Sequence, residues 1–329
     1  MVLTSPNIHE RIFDSARLNP VDGLHRLSFQ AMGTLCRVDF DASLSKEKAR
    51  AFSELVLHWV SDFEARYSRF SPYSLISRIN AAAGTHWVDI DSETEALFNT
   101  CQEFNFITRG TFDPHSLAML KLWNWKSEHP VVPSSIQIQD TLQLVGWNKV
   151  QRRPGAVYLP EKGMGLDLGG IGKEYAVDCV MQLAAESGIA NVLVDFGQDL
   201  RMTGVPPGKP AWHIGLENPH HPGLCWSSLA IHQKAVATSG DYLRHFKHQG
   251  KRYGHIIDPR TGYPVDNGCR AVTVIAPNCT VAGVLATSAF MLGAEEGIAL
   301  IENYFDAEGC ITTETKTYES KNYYEYVVA

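Results

Sequence analysis

The feature that most constrains the fold is a series of strand-like segments that no regular helical crossover separates. Residues 191–195, 212–216 and 271–275 are apolar or alternate between apolar and polar side chains. Parallel strands need long crossovers, whereas antiparallel strands do not. The pattern therefore predicts mainly antiparallel sheets. Further strands are predicted at 27–40, 156–159 and 323–328.

Helical periodicity occurs in five other segments. Residues 45–69 repeat apolar side chains at i, i+3 and i+4. Residues 92–109 open with a Ser92-x-x-Glu95 capping box and end before Gly110. Together with the strands, these segments predict an α+β fold in which helices cover mixed, mainly antiparallel sheets. Further helices are predicted at 173–187, 280–292 and 296–304.

Charge and hydropathy exclude several kinds of partner. The chain has 29 Lys and Arg against 36 Asp and Glu, a formal net charge of −7, so a nonspecific nucleic-acid binder is not expected. The longest mainly apolar runs, such as 271–277, fall far below the roughly 18 residues of a membrane helix, so we expect no membrane insertion. The first residues resemble neither a signal peptide nor a lipidation motif, which predicts a cytoplasmic protein.

The cysteines give no sign of a disulfide framework or a zinc site. Their number, 7, is odd, and no C-x-x-C pair occurs. We expect buried, reduced thiols.

The segment 166–178, L-D-L-G-G-I-G-K-E-Y-A-V-D, combines three glycines with a lysine at the start of a helix. The backbone N–H groups of such a turn can hold a phosphate, and Lys173 adds a positive charge. The segment is neither a Walker A loop nor a G-x-G-x-x-G fingerprint. The alternative is a glycine turn that enters a core helix, with Lys173 solvated.

A strand followed by polar residues occurs at 191–199. Asp195 and Asp199 could contact a ligand at the end of this strand. Alternatively, they could accept hydrogen bonds from turn amides, which we favour on the sequence alone.

The densest chemistry lies in T-S-G-D-Y at 238–242 and in K-R-Y-G-H-I-I-D-P-R-T-G-Y-P at 251–264. His255 could act as a general base, and Asp258 could orient it or accept a proton. The alternative is a core histidine beside Ile256 and Ile257. The helix at 282–290 carries Thr287 and Ser288, whose hydroxyls could simply bond back to the helix backbone.

Seven motifs occur in order along the chain: M-G-T at 32–34, S-R-F-S-P-Y-S-L-I-S-R-I-N at 68–80, F-D-P at 112–114, L-D-L-G-G-I-G-K-E-Y-A-V-D, T-S-G-D-Y, H-I-I-D-P-R-T-G-Y-P, and the helix A-x-x-x-x-T ending at Thr287. Together they resemble the ApbE-type FAD:protein FMN transferases, over about residues 27–305. This resemblance implies an ApbE-like fold, with an N-terminal extension at 1–25 and a single flavin transferase domain at 26–329.

The resemblance implies that FAD is the substrate and that its FMN half moves to a Thr or Ser hydroxyl of an acceptor flavoprotein, with release of AMP. Two alternatives stay open. The protein could bind FAD without transferring it. It could also be an FAD pyrophosphatase, because water can replace the acceptor hydroxyl and give free FMN and AMP.

The resemblance also implies the site residues. His255 matches the proposed catalytic histidine, with Asp258 beside it as a second catalytic candidate. Met32 and Phe70 match the residues that pack the flavin and the adenine, although the family commonly has Tyr in place of Phe70. The positions implied to bind FAD are Met32, Phe70, Phe112, Asp113, Asp167, Lys173, Asp178, Thr238, Ser239 and Ile257.

Magnesium is implied by the same resemblance, but one ligand position is altered. The Gly170 carbonyl and Thr287 match ligand positions, whereas Gly283 stands where the family has an Asp. Mg²⁺ prefers hard carboxylate oxygens, so its binding should be weaker unless another carboxylate substitutes or the FAD diphosphate carries the ion. Gly172 and Glu174 also depart from the family, and Glu174 adds negative charge beside the phosphates.

Overall fold

The computed structural model describes residues 6–242 and 244–328, and its strands form one nine-stranded sheet and three smaller sheets. In chain order the strands are β1 Arg17–Val21, β2 Leu24–Ala31, β3 Thr34–Asp41, β4 Val88–Asp89, β5 Gln151–Arg153, β6 Ala156–Tyr158, β7 Val192–Phe196, β8 Asp199–Thr203, β9 Trp212–Glu217, β10 Cys225–Ile231, β11 Ala235–Gly240, β12 His245–His248, β13 Lys251–Gly254, β14 Cys269–Ala276, β15 Glu308–Thr313 and β16 Thr317–Glu319.

Helices cover this sheet and connect its strands. In chain order they are α1 Pro6–Ser15, α2 Lys46–Tyr67, α3 Leu75–Ala81, α4 Ser92–Ile107, α5 Leu117–Trp123, α6 Ser135–Leu142, α7 Gly172–Glu186, α8 Cys279–Leu292 and α9 Ala294–Glu302, with short 3-10 helices at Trp147–Lys149 and Tyr323–Tyr326.

The large sheet runs in the order β1-β2-β3-β7-β8-β11-β14-β15-β16. All of its neighbouring strands pair antiparallel. The smaller sheets are β9 with β10, β12 with β13, and β4-β6-β5. The predicted α+β class with mainly antiparallel sheets is confirmed.

Two sequence predictions about strands are wrong in detail. The single strand predicted at 27–40 is a hairpin, β2 and β3, because the backbone turns at Met32 and Gly33, which have φ values of 51° and 74°. The strand predicted at 323–328 begins instead with a 3-10 turn. Its first residue, Tyr323, is buried, and its N–H donates to the Ser320 carbonyl at 3.2 Å, which turns the chain across the sheet edge.

The helix predictions hold, with one different cap. Ser45 caps α2 by accepting a hydrogen bond from the Lys48 N–H at 3.3 Å. Asp91, not Ser92, caps α4, and its carboxylate accepts from the Thr94 N–H at 3.0 Å. The extended backbone at Asp91 lets the carboxylate reach this amide.

The main core lies between the large sheet and the helices α2, α4, α7 and α8. Helix α8 is apolar on nearly all sides and packs against β11 and β14. Residues before 26 also join this structure: Ile12 of α1 is fully buried, and β1 forms the edge of the sheet beside β2.

The cysteines are free, as expected, but not all of them are buried. All seven cysteines are free, and five are buried, whereas Cys179 is half-buried and Cys225 is exposed. Across residues 6–242 and 244–328, no helix is both long enough and apolar enough to cross a membrane.

Candidate active site

The register of the large sheet brings several predicted site residues to one of its ends. Strands β3 and β7 are antiparallel, with Cys36 opposite Phe196. The turn that carries Met32 therefore lies beside the turn that precedes Asp199. Strand β11 is antiparallel to β8 and extends past its start, which places Thr238 at the same end.

The glycine turn before α7 is held from two sides. The Asp167 carboxylate accepts a hydrogen bond from the Gly169 N–H at 2.9 Å and forms an ion pair with Arg69 Nε at 2.6 Å. A Cβ placed on Gly170 would lie 3.9 Å from the Phe112 ring. The turn thus packs against the segment that carries the F-D-P motif, which joins two motifs that are distant in sequence.

The Asp113 side chain orients this neighbouring segment by binding backbone N–H groups. Its carboxylate accepts hydrogen bonds from the His115 N–H at 2.7 Å and from the Trp147 N–H at 2.8 Å. Burial raises the pKa of Asp113 to about 6. The Asp113 carboxylate therefore stabilises the loop in which it lies.

Lys173 lies in a cluster with two acidic side chains. Its ammonium group forms an ion pair with Asp199 and lies 3.4 Å from Glu174 Oε1. Burial opposes the charge of this ammonium, yet the Glu174 and Asp199 carboxylates raise the pKa of Lys173 above its ordinary value. Burial also raises the pKa of Asp199 to about 7, against the opposing charge of Lys173. Lys173 is thus a paired cation, not a solvated one.

The two aspartates after β7 differ in their surroundings. Asp195 accepts a hydrogen bond from the Gln198 N–H at 2.8 Å, so for this residue the turn-amide interpretation is correct. Asp199 instead joins the Lys173 cluster, a pairing that sequence reasoning favoured less. The separation of 26 residues left no local signal for it.

Helices α7 and α8 meet where Glu174 covers Gly283. A Cβ on Gly283 would lie only 2.5 Å from Glu174 Cγ. One turn further along α8, the Thr287 hydroxyl is 2.7 Å from the Ser239 hydroxyl of β11. Thr238 forms a similar contact, 2.9 Å, with the Thr273 hydroxyl.

Asp178 connects α7 to the start of α8. Its carboxylate accepts hydrogen bonds from the Cys279 N–H at 2.9 Å, the Thr280 N–H at 2.8 Å and the Thr280 hydroxyl at 2.6 Å. The same carboxylate forms an ion pair with Arg201, whose Nη1 lies 2.8 Å from Asp178 Oδ1. These protein partners occupy the carboxylate, so its implied contact with FAD stays a prediction.

Replacing Asp178 with alanine is expected to lower the free energy of unfolding by about 2 kcal/mol, because α8 loses a charged acceptor for its first N–H groups. Urea unfolding measures this change. The matched control is Asp140→Ala, at an exposed position on α6, which should stay within about 0.5 kcal/mol of the wild type. Equal stability of Asp178→Ala and the wild type would contradict this structural role.

His255 is oriented by a backbone carbonyl. Its Nδ1 lies 3.2 Å from the Arg244 carbonyl oxygen, which can only accept, so Nδ1 carries the hydrogen. Burial lowers the pKa of His255 to about 4, and the nearby Arg244 charge adds to this effect. The imidazole is therefore neutral at pH 7 and leaves the Nε2 lone pair available as a base.

Asp258 pairs with Arg260 and not with His255. Arg260 Nε lies 3.0 Å from Asp258 Oδ1, and Arg260 Nη2 lies 2.7 Å from Oδ2. The Arg260 N–H also donates to Oδ1 at 2.9 Å, which fixes the turn. The role of orienting the imidazole, predicted for Asp258, thus belongs to the Arg244 carbonyl. Ile257 is buried in the small apolar cluster that includes Trp123.

Exposed aromatic and cationic side chains lie between Phe70 and His255. Phe70 is 72% exposed, and the Arg69 guanidinium lies 4.2 Å from the centre of its ring. Lys126 lies 5.8 Å from the Phe70 ring and 5.3 Å from the Trp125 ring, and Trp125 lies 5.6 Å from the His255 ring. Sequence reasoning missed Trp125 and Lys126. Their only signal was the aromatic-rich segment W-N-W-K at 123–126.

Comparison with known proteins relates this chain to one family. The ApbE family model matches residues 32–311. The FAD:protein FMN transferase of Treponema pallidum (strain Nichols) is 32% identical over 289 residues, which cover 83% of this chain and 80% of that relative. The FAD:protein FMN transferase of Escherichia coli (strain K12) is 25% identical over 313 residues, which cover 92% and 89%.

Solved structures agree with the family match. The ApbE protein from Thermotoga maritima has a TM-score of 0.83 at 30% identity, over 92% of this chain and 99% of that chain. The flavin transferase ApbE from Vibrio cholerae has a TM-score of 0.82 over 94% and 99%, and its 24% identity supports the fold alone. The fold is that of a flavin transferase family. The chain belongs to the ApbE family, as its motifs predicted.

Proposed function

We propose that this protein is an FAD:protein FMN transferase. It transfers the FMN moiety of FAD to a Thr or Ser hydroxyl of an acceptor flavoprotein and releases AMP. The observation that carries the proposal is the family match over residues 32–311.

The proposed reaction is a phosphoryl transfer. The acceptor hydroxyl oxygen attacks the phosphorus of the FMN phosphate, and the bond from that phosphorus to the oxygen shared with AMP breaks. AMP leaves with this oxygen, and the hydroxyl proton passes to a base. The protein must therefore neutralise phosphate charge, align the hydroxyl and accept a proton.

Charge neutralisation is the proposed task of the glycine turn and Lys173. The turn ends at the start of α7, a 15-residue helix, where unpaired N–H groups and the helix dipole favour an anion. The Lys173 ammonium remains protonated beside its carboxylates. Asp167 supports this region by holding the turn and Arg69 together.

Proton transfer is the proposed task of His255. Its Nδ1–H is engaged by the Arg244 carbonyl, so Nε2 can take the proton of the acceptor hydroxyl. Asp258 contributes indirectly, because its pairing with Arg260 fixes the turn that follows His255.

The FAD contacts in this proposal are those that the resemblance implies. The exposed ring of Phe70 offers a stacking face for an aromatic base. The buried ring of Phe112 and the Asp113 turn support the flavin side, together with Met32. The full proposed set is Met32, Phe70, Phe112, Asp113, Asp167, Lys173, Asp178, Thr238, Ser239 and Ile257.

The residues present fit a magnesium ion. In the part of the chain that the structure describes, no three His, Cys, Asp or Glu side chains cluster as metal ligands. However, Glu174 Oε2 is buried and receives no hydrogen bond from the described residues, so it is an available hard oxygen. Glu174, the Gly170 carbonyl and Thr287 would hold the ion. When bound, it would neutralise charge on the FAD diphosphate.

Flavin transfer is tested by incubating the protein with FAD, Mg²⁺ and an acceptor domain that carries a threonine attachment site. We expect the acceptor mass to rise by one FMN, and the acceptor variant with alanine at that threonine to stay unmodified. Unmodified wild-type acceptor beside intact bound FAD would instead establish an FAD-binding protein. Free FMN and AMP without modified acceptor would establish a pyrophosphatase.

A further inference from the structure

We propose that Glu174 supplies the carboxylate ligand of a Mg²⁺ site between α7 and α8, in place of the acidic residue that Gly283 lacks. The carboxylate ligand would thus come from α7 and not from the facing helix α8. The inference deepens the proposed function and rests on it for the role of the ion, since the diphosphate of FAD is what the ion would neutralise.

The packing of the two helices places the Glu174 side chain where a side chain at position 283 would lie. A Cβ on Gly283 would lie 2.5 Å from Glu174 Cγ and 3.1 Å from both Cδ and Oε1 of Glu174. Real side chains do not approach so closely. The Glu174 side chain therefore fills the volume that a side chain at position 283 would need, and it brings its carboxylate to the same place.

The Glu174 carboxylate is available for a ligand. The residue is 6% exposed, and its Oε1 lies 3.4 Å from the Lys173 ammonium. No described residue donates a hydrogen bond to Oε2. A buried carboxylate oxygen without a partner is costly, and a cation would remove that cost. Asp199 is different, because Lys173 already pairs with it.

Thr287 provides a second oxygen on the same face of α8. It lies four residues after Gly283, which places the two positions one helical turn apart on one face. Its hydroxyl can donate its hydrogen to Ser239, 2.7 Å away, and so keep its lone pairs for an ion. With the Gly170 carbonyl, which the resemblance implies as a ligand, the two side chains would offer three kinds of hard oxygen. Mg²⁺ usually fills its other positions with water or phosphate oxygens.

The charges of the cluster also favour a divalent cation. Two carboxylates, Glu174 and Asp199, face one ammonium group, that of Lys173. The three groups together carry at most one net negative charge. A divalent ion reverses this sign, so the cluster would then attract a diphosphate.

The test is a titration of the full-length protein with Mg²⁺ alone, by calorimetry, with Mn²⁺ and electron paramagnetic resonance as a second readout. The variants are E174Q, E174G and the double variant E174G/G283D. We expect E174Q and E174G to bind about 100-fold more weakly than the wild type, because they lose the anionic ligand. The double variant should recover to within about 5-fold of the wild type, since removal of the Glu174 side chain opens space for Asp at 283.

Thermal unfolding of each variant establishes that it is folded before the titration. E174Q keeps the volume of the side chain, so it remains informative if glycine at position 174 disturbs α7. Wild-type affinity in E174Q would overturn the proposal. A folded double variant that binds as weakly as E174G would do the same.

The titration contains neither FAD nor acceptor, so it succeeds or fails independently of flavin transfer. Metal binding as expected, without any transfer, would remove the proposed function and keep the site. Transfer with unchanged Mg²⁺ affinity in E174Q would keep the function and remove the site.

Discussion

His255→Ala is expected to transfer FMN about 10²–10⁴-fold more slowly than the wild type, while FAD stays bound. The loss follows from the removal of the neutral imidazole whose Nε2 is available as a base. Single-turnover rates of acceptor modification and the dissociation constant of FAD measure the two effects separately. The matched control is His213→Ala, an exposed histidine on β9, which should transfer at the wild-type rate.

The low pKa of His255 gives the same prediction a pH signature. Because burial lowers this pKa to about 4, the imidazole is already deprotonated at pH 6, and the rate should not fall through its protonation until the pH approaches 4. The same lowered pKa also makes the stability of the folded chain depend on pH. The unfolded chain binds the proton near pH 6.5 and the folded chain only near pH 4, so this contribution to stability is lost as the pH falls between these values.

The difference in unfolding free energy between the wild type and His255→Ala should therefore shrink over that range. A His255-dependent inflection of the rate near pH 6.5 would contradict a half-buried imidazole that is neutral at that pH. Wild-type transfer in His255→Ala would remove this residue from the mechanism.

Lys173→Met is expected to abolish detectable transfer and to lower the free energy of unfolding by about 3 kcal/mol. The substitution leaves the buried carboxylates of Glu174 and Asp199 without their cation. We place the effect at the low end for buried ion pairs because the Lys173 side chain is 28% exposed. Guanidinium unfolding and the acceptor-modification assay measure the two losses.

The matched control is the double variant Lys173→Met/Asp199→Asn, in which one of the two stranded charges is also removed. It should regain part of the lost stability without regaining transfer, because the phosphates still lack their cation. If Lys173→Met were as stable as the wild type, the buried ion pair would not contribute to the fold. If it still transferred FMN, Lys173 would not be the phosphate cation.

Local features of the sequence predicted five of the nine α-helices, but fewer than half of the sixteen strands, in the part of the chain that the structure describes. The apolar spacing in 45–69 predicted α2, because each helical turn repeats the same face toward the core. The ends of helices and strands were harder to predict than their existence. The hairpin at Met32 was missed because a non-glycine residue with positive φ has no reliable signature in one sequence. Ser92 and Asp91 are both good caps, and only the backbone conformation selected Asp91.

The site was predictable only in part. The phosphate-binding turn could be found because its glycines, Lys173 and the start of the helix are adjacent in sequence. Asp199 could not be assigned, since its partner lies 26 residues away and is chosen by the packing of β8 against α7. Similarly, the sequence paired His255 with Asp258, whereas the loops bring the Arg244 carbonyl to the imidazole instead.

By itself, the sequence determined the family, the antiparallel α+β fold and the position of the glycine turn, because these depend on neighbours along the chain. Tertiary structure alone decided the charge and contacts of the reactive groups. It left His255 neutral with a free Nε2, and it placed Glu174 over Gly283. The physical reason is that burial and the approach of distant side chains set pKa values and available lone pairs, and both arise only when helices and strands pack together.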